Sequence, residues 1–305
     1  MAREIEKMHK ELEAFIDAHG DKEMTEGQLN DLLNAFMGRY NANLPKRVTP
    51  ATAKTSDDYL ELAENAENAA SALRYARMAL ELNPDNLDAE RIVVEVSAKE
   101  PLELVEGLEQ AVKHGTKVMT SGGFMDDESI GHFWGLVETR PYMRLRQSFV
   151  EALITVGMMR KAAEECEEMI RLCENDNLGI RFTLMHLYAY LEEEKPALKL
   201  LKKYDGYDDT QMTLALSMLY YKLFRMDKAK EYLDKLAKVN KDTKKFLRAI
   251  RQGKLDQHID QMEPFGYRPF TIDELITTVT ENSFLYATAP EYMRWADKQL
   301  NGKKK

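Results

Sequence analysis

The chain has 305 residues, 44% of them hydrophobic and 31% charged, with a net charge of −9. That balance fits a soluble, helix-rich protein and excludes a disordered chain. No run of about 18 apolar residues is available for a membrane span, and the opening MAREIEKMHKELEAF lacks the apolar core of a secretion signal, so a cytoplasmic location is expected.

In chain order, residues 2–18 place Ile5, Met8, Leu12, Phe15 and Ile16 at helical spacing and stop at Gly20. A second helix starts at Thr25, where Gln28 completes a capping box and Leu29, Leu32, Leu33 and Phe36 form one apolar side. These two helices make an N-terminal segment over 1–45. Residues 46–56, with Pro50 and few large apolar groups, read as a linker. Helical repeats are expected over 57–115, with Tyr59, Ala63, Ala72 and Ala79 where paired helices touch. Alanine suits such positions because helix axes approach to about 8–9 Å only where a side chain is small. Pro84 closes one helix, Pro101 opens another, and Gly115 is expected to end it.

Residues 116–139, with Gly122-Gly123 and Asp126-Asp127-Glu128, read as an inserted loop. Three further copies follow over 140–245, aligned on Ala162, Ala197 and Ala229, which stand 35 and 32 residues apart. Residues 246–305 hold Phe265, Tyr267, Phe270, Phe284, Tyr286, Tyr292 and Trp295 and read as a helical C-terminal cap that hides the open apolar end of a repeat stack.

The spacing, with the segment LELNPDN and its upstream alanines, resembles the tetratricopeptide (TPR) family over roughly residues 53–245. The resemblance implies an all-α, TPR-like α-solenoid of antiparallel helix pairs with helical N- and C-terminal caps. The later copies lack the family's common tryptophan, and Glu174 stands where a proline would fall. Three segments, GHFWGLVETRPYMR (131–144), ENDNLGIRF (174–182) and ENSFLYATAPEYMRW (281–295), are similar to motifs of uncharacterised bacterial TPR proteins, themselves distantly similar to the suppressor-of-tumorigenicity family. The family implies a non-enzymatic scaffold that binds a peptide or protein segment.

Mapped onto the repeats, the concave positions are Arg144, Gln147, Glu151, Arg181, Met185, Tyr188, Met218, Tyr221 and Lys222. Arginine, aromatics and methionine are the residue types that anchor peptides. A polar cluster of Trp134, Glu138, Arg140, Tyr142, Asp176 and Asn177 reads either as a second binding site or as internal helix capping. No HExxH, GxSxG or GxxxxGK[ST] motif occurs and the six histidines are scattered, so no catalytic residue, metal or cofactor is expected. Cys166 and Cys173 lie two turns apart on one helix and read as core thiols. Charge is uneven: residues 1–139 hold 14 basic and 27 acidic side chains (net −13), residues 195–254 hold 16 and 7 (net +9). Such halves allow homo-oligomers to form head to tail. The basic stretch, with Lys244, Lys245, Arg248, Arg251 and Lys254 and the terminal lysines 303–305, is the basis for the alternative of RNA binding.

Overall fold

A computed structural model describes residues 2–20, 24–42, 48–262 and 266–302. Phe265, the lysines at 303–305 and linker residues 46–47 lie outside the described residues. The fold is all-α, about 74% helical, with no strand among the described residues. The chain divides into two compact units, Met1–Phe149 and Val150–Lys305.

Unit 1 begins with α1 (Ala2–His19) and α2 (Glu26–Ala42), joined through Phe15, whose ring centroid lies 5.6 Å from that of Phe36. At the start of α2, Thr25 N–H donates to Gln28 Oε1 at 2.9 Å and Gln28 N–H donates to Thr25 Oγ1 at 3.4 Å, both halves of the capping box the sequence suggests. Next come α3 (Ser56–Glu64), α4 (Ala69–Leu82), α5 (Leu87–Ser97) and α6 (Pro101–Ser121). Leu60, Ala63, Ala76, Ala79, Ala89 and Ile92 form the shared core of α3, α4 and α5, with Tyr59 and Ala72 packed at its margin. The small side chains allow close helix approach. Each helix has a distinct start signal. Thr55 and Asp58 make a reciprocal capping box, and the side chains of Asn68 and Asn86 accept from Ser71 N–H and Ala89 N–H.

Gly115 does not end α6, which continues to Ser121. The glycine serves a close approach instead: a Cβ there would lie 2.7 Å from Cδ2 of Tyr142. That ring is fully buried, and its hydroxyl bridges Thr116 Oγ1 (2.6 Å) and Arg146 Nη2 (2.7 Å). A short 3₁₀ turn, Val137–Thr139, leads into α7 (Arg140–Thr155), whose residues 140–149 belong to unit 1 and 150–155 to unit 2.

Unit 2 continues with α8 (Met159–Leu172), α9 (Ile180–Leu191), α10 (Glu194–Lys203), α11 (Thr210–Lys222), α12 (Met226–Val239) and α13 (Thr243–Arg251). Its helices form TPR-like hairpins: α9 packs on α8, α10 and α11, and α11 packs on α12. The repeat shows in the backbone as well as in the alanines. Gly157, Glu192 and Phe224 each adopt a left-handed conformation, with φ of 79°, 62° and 57°. After each, an N–H reaches back to a carbonyl five residues earlier: Met158 to Leu153, Glu193 to Tyr188 and Arg225 to Tyr220, each at 2.9 Å. This is the Schellman arrangement that ends a helix and turns the chain. Ala162, Ala197 and Ala229 each follow their left-handed residue by the same five positions and are fully buried.

The C-terminal residues form α14 (Leu255–Ile259), α15 (Ile272–Glu281), α16 (Ser283–Tyr286) and α17 (Glu291–Asn301). They do more than close the end of a stack. α15 and α17 pack on α13, α15 also packs on α11, and α16 packs on α9. In consequence α11 is buried at every position from Thr210 to Tyr220, which explains its apolar character on all sides.

Candidate functional site

The concave positions read from the sequence separate into three environments. Arg144 and Gln147 lie in unit 1; the other seven lie in unit 2. Arg144 is engaged by carboxylates, donating to Asp88 at 2.9 and 2.6 Å and to Glu6 at 2.7 and 3.2 Å. Burial works against its charge, but Asp88 and Glu6 outweigh that and raise its pKa. Gln147 is half-buried and Glu151 exposed.

In unit 2, Met185 and Met218 are fully buried and Tyr188 nearly so. The Tyr188 hydroxyl donates to Glu167 of α8 at 2.7 Å, and burial followed by that carboxylate pushes its pKa up. The face of α9 that meets the C-terminal helices is carried by His186 and Tyr190, one and two positions past Met185 and Tyr188. His186 is sealed between Phe182 O (2.8 Å) and the Tyr286 hydroxyl (3.1 Å). A carbonyl can only accept, so Nδ1 carries a proton and donates to it, and in the neutral ring Nε2 accepts from Tyr286. Burial agrees, holding the His186 pKa down to about 4.

Arg181 is half-buried on its own helix start. Its guanidinium meets Asp176 Oδ2 at 2.8 Å and lies over Phe182, 4.1 Å from the ring centroid. Asp176 accepts the N–H groups of Ile180 (2.7 Å) and Arg181 (3.1 Å) and so caps α9, with Gly179 at φ 71° completing the turn. Asn177, exposed, accepts from the Cys173 thiol at 3.4 Å. The other members of the sequence-read polar cluster lie in unit 1. Arg140 donates to Trp134 O at 2.9 Å and its guanidinium sits 5.6 Å from the indole centroid, Glu138 is exposed and Tyr142 buried.

An aromatic rim, Tyr190 with Phe284 and Tyr221 with Trp295, remains half-buried in unit 2, and sequence reasoning found only part of it. Tyr190 faces Phe284 at 6.0 Å, and Lys222 Nζ stands 5.1 Å from the Tyr190 centroid while donating to Ala189 O at 3.1 Å. Next to Lys222 on α11, Tyr221 contacts Trp295 at 5.3 Å and Tyr292 at 5.4 Å. Burial lowers the Lys222 pKa, partly offset by Glu192 at 3.6 Å. Tyr190, Phe284 and Trp295 were missed as a site because their proximity depends on the chain returning from residue 284 to α9. The signal available was the density of aromatics in the C-terminal segment.

Among the described residues, no group of three or more His, Cys, Asp or Glu is placed to hold a metal ion. Both cysteines are buried. No described helix is long and apolar enough to cross a membrane. On α13, Lys244, Lys245, Arg248 and Arg251 are exposed, with Arg251 paired to Asp297 at 3.2 Å.

No family model matches the chain, and no curated protein matches it. Among solved structures, the crystal structure of MamA protein is similar at 13% identity, over 62% of this chain and 94% of that one, with a TM-score of 0.44. YrrB, a TPR protein with an unusual peptide-binding site, is similar at 17% identity, over 68% of this chain and 93% of that one, with a TM-score of 0.42. At these scores the repeat fold stands on its own hairpins and recurring turns.

Proposed function

We propose that the chain is a non-enzymatic scaffold for a peptide or protein segment, and that the segment docks on the aromatic rim of unit 2. The observation that carries this reading is the set of half-buried side chains Tyr190, Tyr221, Lys222, Phe284 and Trp295, each held by packing while part of its surface stays open. Rigid, partly exposed aromatics lose little freedom on binding, and with a neighbouring cation they are the residue types that dominate protein interfaces. The C-terminal helices occupy the faces of α9 and α11, so the partner meets a rim and not an empty trough. Met185 and Met218 then support the rim from within, while Tyr221 and Lys222 touch the partner directly.

The test is affinity capture with the intact chain and with Phe284→Ala and Trp295→Ala chains, the melting temperature of each being followed. A protein retained by the parent chain and lost from both folded variants supports the rim. Equal retention by all three refutes it. A labelled RNA that binds at low salt and is lost on Lys244→Ala with Arg248→Ala would instead assign the function to α13.

A further inference from the structure

α1 is seated on unit 1 through charge. Among its described side chains only Glu6 is buried, and Ile5 is 50% exposed. Glu6 meets Arg144 at 2.7 Å and lies 3.7 Å from Arg140. Lys7 reaches Glu61 at 3.9 Å and Lys10 reaches Asp57 at 3.6 Å, both acceptors on α3. The helix thus presents a carboxylate followed by cations one and four residues later, and the body answers with the opposite signs. Beneath them is a cavity of about 190 Å³ whose lining includes Leu60, Leu87, Val118, Met119 and Val137.

Two features make this seat separable from its occupant. Asp88, 1% exposed, holds the Arg144 guanidinium by two bonds of its own, so the arginine stays neutralised and oriented when Glu6 leaves. Few buried apolar contacts hold α1, which places its opening at the low-energy end of the molecule's fluctuations.

We infer that the strip formed by Asp57, Glu61, Arg140 and Arg144 is a docking site for an amphipathic helix of a partner protein, and that α1 is its built-in competitor. The partner helix brings a carboxylate to Arg144 and Arg140, and cations one and four positions later to Glu61 and Asp57. This surface is independent of the aromatic rim.

The test uses the full chain, its Glu6→Gln variant, and as probe a fluorescein-labelled peptide of residues 2–19. Releasing α1 removes an internal competitor, so the variant chain binds the peptide roughly tenfold or more tightly than the parent chain does. That binding weakens between about 50 and 300 mM salt, and a peptide carrying Glu6→Gln loses it. Equal binding by both chains, or indifference to the peptide's Glu6, overturns the inference. Should Glu6→Gln unfold unit 1, Lys10→Glu, at a side chain 50% exposed, supplies the same readout, and no gain in peptide binding again overturns it. A parent chain that sediments as a dimer dissociated by the peptide would assign the strip to a second copy and overturn the partner.

Discussion

The two terminal segments are attached to their units by different physics. In unit 1, α1 is held by Glu6, Lys7 and Lys10 against charged partners, and the one buried side chain among those described is a carboxylate. In unit 2, the C-terminal segment buries Ile272, Leu275, Ile276, Leu285, Tyr286, Tyr292 and Ala296, and its polar links are mostly neutral, as in Gln211 to Tyr267 (3.0 Å) and Asn240 to Thr271 O (2.9 Å). Attachment by charge is screened by salt and needs little energy to reverse. Attachment by apolar burial is neither. The difference teaches which end can move aside for a ligand and which is part of the core.

The largest effect should come from the C-terminal attachment. Tyr292, fully buried against Tyr221 and Trp295, replaced by alanine should cost about 3–5 kcal/mol in urea unfolding. A loss under about 1 kcal/mol would show that this segment is a loose cover and remove the contrast. A smaller loss, about 1–3 kcal/mol, is expected for Gly115→Ala, because the added methyl must displace the buried Tyr142 ring. Tolerance of alanine there would mean that α6 and α7 are not in close contact.

The smallest effect is one of pH and sharpens the account of unit 1. His114 of α6 joins Glu90 at 2.7 Å and Asp85 at 3.3 Å, and chiefly the hydrogen bond to Glu90 raises its pKa above the ordinary 6.5. A raised folded-state value means stability that is fully present below pH 6.5 and fades as pH climbs through the folded value. The urea midpoint of the parent chain should therefore decline over that window, and His114→Gln should flatten the decline. An unchanged slope in the variant would assign the pH dependence to other groups.

Much of the fold was legible because it depends on local signals. Ala162, Ala197 and Ala229 marked the hairpins, Thr25 and Gln28 marked a helix start, and either Asp176 or Asn177 was readable as the cap of α9, which is Asp176. What sequence could not show depends on distant returns of the chain. Arg144 has the composition of a ligand-binding arginine, but its partner Glu6 lies 138 residues away. Phe224, a bulky residue at φ 57°, gives no local hint that it does the work Gly157 does two repeats earlier. Gly115 had the look of a stop signal because a glycine for close packing and one for a turn are the same letter. The outward positions of α9 differ from those read by one and two residues for a related reason: they were mapped from the repeat spacing, while packing of α16 on α9 sets which side chains meet the C-terminal helices.

Hydrogen exchange of the intact chain, followed by mass spectrometry at low and high salt, tests the contrast between the two termini most directly. The account predicts that α15 and α17 exchange as slowly as α9 and α11 at both salt concentrations, while α1 exchanges early and faster still when salt is raised. Early exchange of α15 and α17 with α9 and α11 still protected would contradict it.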